Sequence, residues 1–230
     1  MMKIGIMQPY FLPYLGYFQL IKAVDNYVIY DDVNYIMRGW INRNNFLING
    51  NAKIFTISLK GASPNKLINE SEIDDDFGKF LRMIYYNYSK APFFNNVFQL
   101  IEGIVEYEDK CLSRFITNCI KEICNYVNIR TNLLISSELP KDISLKGSDK
   151  VIDICKQLKA DICINPIGGL QMYSKGYFAL HGIDLFFLQT KETPYKQLNN
   201  NFVSGLSILD VLMFNSVEQV ECMLDRYNLI

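Results

Sequence analysis

Asp31 and Asp32 stand side by side at the head of DDVNYIMRGWINRNNF, residues 31–46, which also holds Arg38, Arg43, the only tryptophan, Trp40, and Asn34, Tyr35, Asn42, Asn44 and Asn45. Adjacent carboxylates suit proton transfer: one within reach of an amine takes its proton as the amine attacks, and does so better the more its own pKa is raised. Arginines carry planar, permanently charged forks that grip a phosphate or carboxylate by two hydrogen bonds at once. The amides, the phenol of Tyr35 and the indole add hydrogen bonds and a stacking surface for a sugar or nucleotide. Asn and Asp also build turns, and an arginine is often only a surface charge. So many polar side chains directly after a strand nevertheless favour a binding loop.

A second set lies earlier, in MKIGIMQPYFLPYLGYFQLI at residues 2–21. Gln8 offers an amide, Tyr10, Tyr14 and Tyr17 offer phenols, and Gly16 permits close approach to a helix start whose free N–H groups attract anions. NPIGG at 165–169 ends a strand in a Gly168-Gly169 turn whose amides could face a phosphate. LKGSDK at 145–150 puts Lys146, Ser148 and Lys150 at another helix start, where the plain reading is an N-capping serine and solvated lysines. His181, just before Gly182, reads as the cap of a helix C-terminus rather than a base. Asp210, between Leu209 and Val211, reads as a buried carboxylate that an arginine could partner.

Such scattered segments meet only if the chain returns repeatedly to one edge. KIGIM (3–7) and YVIYD (27–31) are β-rich runs joined by residues 15–24, whose Leu15, Phe18, Leu20, Ile21 and Val24 recur at helical spacing. Asn49-Gly50 between two alternating stretches of 46–59 predicts a hairpin. Apolar periodicity over 76–88, 95–106 and 109–127 predicts three helices. NLLIS (132–136), DICIN (161–165) and DLFFLQ (184–189), separated by helical stretches at 147–159 and 170–180, resume the β-α alternation, and helices near 207–214 and 216–227 close the chain. The expected fold is α/β: a mostly parallel, Rossmann-like sheet with flanking helices, a β-hairpin insertion and a helical middle segment, in one domain over 1–230. Ligands of such sheets lie beyond the carboxyl ends of the strands, so Gln8, Tyr14, Asp31, Arg38 and Gly168 are expected around one cleft.

Composition narrows the function classes. With 23 Lys plus Arg against 24 Asp plus Glu, no global field draws the chain to nucleic acid or to an anionic membrane. The absence of a secretory leader or of an apolar run of about 20 residues leads to the expectation of a cytoplasmic protein without membrane insertion. Six cysteines outside any CxxC pair and a single histidine make a metal site an unexpected feature.

Taken together, MQPYFLPYLGYFQLI, VIYDDVNYIMRGWINRN, NPIGGLQMY, PYKQ and LSILDVLMFN resemble the WbqC family of bacterial proteins, found with the machinery for O-antigen (lipopolysaccharide) and other surface polysaccharides. The resemblance spans almost the whole chain and implies a role in making or modifying an activated sugar. A more distant likeness links the strand, Gln8-Pro9 and the helix start at Gly16 to nucleotidylyltransferases and pantothenate-synthetase-like ligases, whose H-x-G-H motif holds ATP phosphates. Tyr14 and Tyr17 occupy its two histidine positions here, and a tyrosine supplies no cation near neutral pH. The expected activity is transfer of an acyl or aminoacyl group to the amine of a nucleotide-linked amino sugar. Asp31 and Asp32, with Tyr14 and Tyr17, are its catalytic candidates. Gln8, Tyr10, Gly16, Asn34, Tyr35, Arg38, Trp40, Asn42, Arg43, Gly168 and Gly169 are its binding candidates. The partner is a small-molecule nucleotide sugar, the co-substrate an acyl donor or nucleotide; the oligomeric state has no signature in the sequence. A sugar-nucleotide binding or scaffold protein and a nucleotidyltransferase-like enzyme are the alternatives.

Overall fold

A computed structural model describes residues 1–198 and 201–230. Short runs rich in β-branched residues form the first unit: β1 (Lys3–Met7), α1 (Leu15–Lys22) and β2 (Asn26–Ile29). Then come the hairpin β3 (Arg43–Ile48) and β4 (Asn51–Thr56), and a second, minimal antiparallel pair, β5 (Leu59–Lys60) and β6 (Glu72–Ile73). Three helices follow, α2 (Gly78–Tyr88), α3 (Phe94–Val105) and α4 (Leu112–Tyr126). The remainder runs β7 (Asn132–Ile135), α5 (Gly147–Gln157), β8 (Ile162–Pro166), α6 (Lys175–Ala179), β9 (Asp184–Thr190), α7 (Ile208–Phe214), α8 (Val217–Leu224) and β10 (Tyr227–Leu229).

The main sheet has the order β10-β9-β8-β1-β2-β7, parallel throughout except for the edge strand β10. Its strands are apolar on both faces, as a covered parallel sheet requires. Ile4, Ile6 and Val28 pack with α5 and α6 on one side, while α1, the hairpin, the three middle helices, α7 and α8 cover the other. On that second side Gly5 lets α1 lie close, since a Cβ there would meet Tyr27 at 3.1 Å and Leu20 at 3.4 Å. The chain lays β1, β2 and β7 in one direction, then crosses back to place β8 and β9 beyond β1. The strand order therefore reverses between β1 and β8, and a crevice opens beyond their carboxyl ends.

Several boundaries differ from the sequence expectation. The second strand stops at Ile29 and releases Asp31 into a loop. The helix expected over 170–180 divides into a 3-10 turn, Ile167–Gln171, and α6, which restarts where Ser174 accepts a hydrogen bond from the Tyr177 amide. The last helix ends at Leu224, and Tyr227–Leu229 pair antiparallel with β9, satisfying backbone groups that would otherwise line an open edge. At the hairpin tip Asn49 and Gly50 take φ of 51° and 77°, the left-handed pair that a tight two-residue turn needs.

Candidate functional site

A cleft of about 540 Å³ opens at the reversal of strand order. Met7, Gln8, Tyr10 and Tyr14 come from the end of β1 and the loop behind it, and Tyr30, Ile36 and Trp40 from the loop after β2. Asn165, Pro166, Gly168, Gly169, Met172 and Tyr173 form the opposite wall. Five aromatic rings and two side-chain amides thus face one space. Its lining contains no Asp, Glu, His, Lys or Arg. Burial raises the pKa of Tyr10, Tyr14, Tyr30 and Tyr173, so these phenols are neutral hydrogen-bonding groups near pH 7.

The first loop is held rigidly although its backbone is unusual. Leu12 is fully buried at φ 43°, the left-handed region that a bulky side chain avoids. Its carbonyl accepts from Asn44 Nδ2 at 2.7 Å and Ser207 Oγ at 2.7 Å; the Phe11 carbonyl accepts from Asn44 Nδ2 at 3.1 Å, and the Pro13 carbonyl from the Ile208 amide at 2.8 Å. Asn44 Nδ2 is thus engaged by the backbone of the first loop. Asn44→Ala should cost about 2–3 kcal/mol, a melting temperature lower by about 5–10 °C, because the Phe11 carbonyl loses its donor and the Leu12 carbonyl one of its two. Calorimetry of the two proteins checks it.

Tyr17 lies beneath this loop rather than at the cleft. It is fully buried, its hydroxyl donates to the Gln8 carbonyl at 3.0 Å, and its ring packs edge-on against Tyr27 at 5.5 Å. Gly16 lets α1 start close to its surroundings: a Cβ there would press on Thr190 Oγ1 and on the Tyr14 ring, and one of these side chains would have to move.

Most of the polar side chains after β2 also turn inward. Ser113 Oγ (3.1 Å), Ser137 Oγ (2.8 Å) and the Ser137 amide (2.9 Å) all donate to the Asp31 carboxylate, which is 2% exposed. Asp31 thus ties α4 to the end of β7. The Tyr35 hydroxyl donates to Asn42 Oδ1, and Asn42 Nδ2 to the Ile57 carbonyl, each at 2.7 Å. Asn34 Nδ2 donates to the Pro64 carbonyl at 2.9 Å. Arg43 donates to the Arg38 carbonyl and sets its guanidinium over the Trp40 ring, 5.5 Å from its centre. Arg38 itself sits exposed in a turn at φ 60°, outside the cleft lining. Of this loop's binding candidates, Trp40 is the one that reaches the cleft.

Asp32 is committed to cations. Lys150 Nζ lies 2.9 Å and Lys141 Nζ 3.0 Å from Asp32 Oδ2, and Ser136 Oγ donates to Oδ1 at 2.6 Å. Burial alone would raise its pKa, but the bonds from Ser136, Lys150 and Lys141 outweigh it and hold the carboxyl below its ordinary value. That makes it a weak base. The stabilisation is complete above the ordinary carboxylate pKa and is lost as pH falls through the lower folded value. Asp32→Asn should accordingly flatten the acid limb of stability below about pH 4, read from urea melts across that range.

The profile of the WbqC-like protein family matches residues 8–222. The chain belongs to the WbqC-like protein family. It is also 30% identical over 221 residues to the uncharacterized protein Rv1507c of Mycobacterium tuberculosis, covering 94% of each chain. No solved structure matches it. The matched region of this WbqC-like chain takes in the cleft except for two of its lining residues, Ile6 and Met7.

Sequence reasoning missed Tyr30, Asn165, Met172 and Tyr173 as lining residues of the WbqC-like cleft. Tyr30 and Asn165 stand at or next to the carboxyl ends of β2 and β8, so strand-end position alone could have found them. Lys150, expected in solvent, is buried, and Ser148 lies inside α5 instead of capping it. His181 pairs with Lys156 at 3.1 Å ahead of β9, at the opposite edge of the sheet. Asp210 is buried as expected, but its partners are Tyr88, Tyr195 and Gln197, not an arginine. Among the described residues no helix is long and apolar enough to cross a membrane, and no three His, Cys, Asp or Glu side chains are grouped to hold a metal ion.

Proposed function

We propose that the protein acts on a nucleotide-linked amino sugar in the assembly of a bacterial surface polysaccharide, as an acyltransferase to the sugar amine. The aromatic cleft at the reversal of strand order carries this reading. Rings such as Trp40 and Tyr30 suit stacking on a base or on the apolar face of a sugar, Gln8 and Asn165 suit hydrogen bonds to the edge of a base, and Gly168 leaves backbone open to a ligand. In the reaction the amine nitrogen bonds to the acyl carbon, the donor's leaving group departs, and the amine proton passes to solvent. With Asp31 and Asp32 both engaged by protein, the acceleration rests on positioning the two substrates.

A binding protein for the same ligand is the second reading, favoured by the lack of charged side chains in the cleft lining. Incubation of nucleotide-linked amino sugars with a panel of activated acyl donors, followed by mass spectrometry, separates the two. The transferase reading expects a product heavier by the acyl group, and Tyr14→Phe, which removes one hydroxyl from the cleft, is expected to slow its formation about tenfold with folding intact. Saturable binding without product from any donor would establish the binding reading instead.

A further inference from the structure

Beside the aromatic cleft, and sharing Tyr30 with it, lies a second recess of about 560 Å³ between the ends of β2 and β7 and the start of α5. Three lysines, Lys141, Lys146 and Lys150, line it with a single aspartate, Asp32. The side chains of Lys141 and Lys150 are only 2% and 8% exposed, yet both rest on the one Asp32 carboxylate, at 3.0 and 2.9 Å. Lys141 also donates to the Ser136 carbonyl, and Lys150 to the Asp32 carbonyl at 2.8 Å. An ammonium has three N–H donors, and each lysine places two on protein oxygens; the Lys150 ammonium also lies 5.2 Å from the centre of the Tyr30 ring. Asp31 does not balance the surplus within the recess, because its oxygens turn to Ser113 and Ser137. Two nearly buried cations sharing one anion form an arrangement that costs free energy unless a further anion arrives.

The start of α5 adds a second, independent attraction. This 11-residue helix begins at Gly147 with Lys146 at its N-cap, whose side chain caps none of the first N–H groups; the one carboxylate of the first turn, Asp149, accepts from Tyr177 Oη at 2.6 Å. A Cβ on Gly147 would meet nothing within 4 Å, so the backbone there is open to approach. Free amides and the positive end of the helix both favour an anion, most of all a phosphate.

We infer that this recess is a phosphoryl-binding site, in which Lys141, Lys146, Lys150 and the first amides of α5 take a phosphate or diphosphate group. The site stands apart from the nucleotide-sugar reading of the aromatic cleft and survives its failure. Two sources share this chemistry, the diphosphate of a nucleotide sugar that reaches across Tyr30 and the phosphate of an activated donor.

Titration calorimetry with inorganic pyrophosphate at low salt tests it. Saturable binding is expected, weakening as salt is added, and at least tenfold weaker in Lys141→Met/Lys146→Ala with an unchanged circular dichroism spectrum. Should that variant fail to fold, Lys146→Ala alone, which removes an exposed lysine, should still bind at least threefold more weakly. Affinity unchanged in the folded variants, or no binding by the wild type, overturns the inference. Displacement of pyrophosphate by a UDP-linked sugar would identify the sugar's own diphosphate as occupant, and simultaneous binding of both the donor's phosphate; either result upholds the site.

Discussion

Asp210→Ala is expected to lower stability by about 3–5 kcal/mol, a loss of about 10 °C or more in melting temperature. Tyr195 Oη at 2.7 Å, Gln197 Nε2 at 2.8 Å and Tyr88 Oη at 2.9 Å all donate to this fully buried carboxylate, and all three would lose that acceptor, although Gln197 Nε2 keeps the Val203 carbonyl at 3.1 Å. Tyr88 in turn accepts from the Leu47 amide at 2.8 Å, so one side chain joins α7, α2, the hairpin and the segment before α7. The same region of α7 holds the first loop through Ser207 and Ile208, and the damage should extend to the cleft. Asp210→Asn keeps one acceptor and should cost less. Burial raises the pKa of Asp210 despite the bonds from Tyr195, Gln197 and Tyr88, so its contribution is fullest below the ordinary carboxylate pKa and is lost as pH rises through the folded value. The Asn variant should lack that decline. Thermal melts of the three proteins at pH 4 and pH 7 give both results.

Trp40→Ala should weaken nucleotide-sugar binding by about ten- to a hundredfold while leaving the fold unchanged. A ring stacked on a base or sugar contributes about 1–3 kcal/mol, and the indole, 44% exposed, supports little of the core. Gly168→Phe tests the same space by filling it. A Cβ on Gly168 meets no atom within 4 Å, so the new ring has room to enter the cleft without strain at its root. Binding should fall more than tenfold with the melting temperature preserved, as calorimetry and thermal melts would report. A variant that bound normally would place the ligand elsewhere.

The sheet was legible because β-branched runs alternate with helical periodicity, and that alternation brings the loops after β1, β2, β7 and β8 to one edge. The loop of residues 31–46 was harder to read. A segment without regular structure must satisfy its buried backbone from side chains, and Asn42 and Asn44 meet that need with the same amides a ligand would use. Composition cannot separate the two uses; only burial does. Lys150 shows the complementary limit: its partner, Asp32, is 118 residues away, and no local pattern announces a contact of that range.

Titration of the protein with UDP- and dTDP-linked amino sugars, following the emission of its single tryptophan, tests the central claim most directly, because Trp40 lies on the rim of the proposed cleft. A saturable change in Trp40 emission, abolished in Gly168→Phe, is the predicted result. Binding detected by calorimetry that leaves Trp40 emission unchanged, or that persists undiminished in Gly168→Phe, would contradict it.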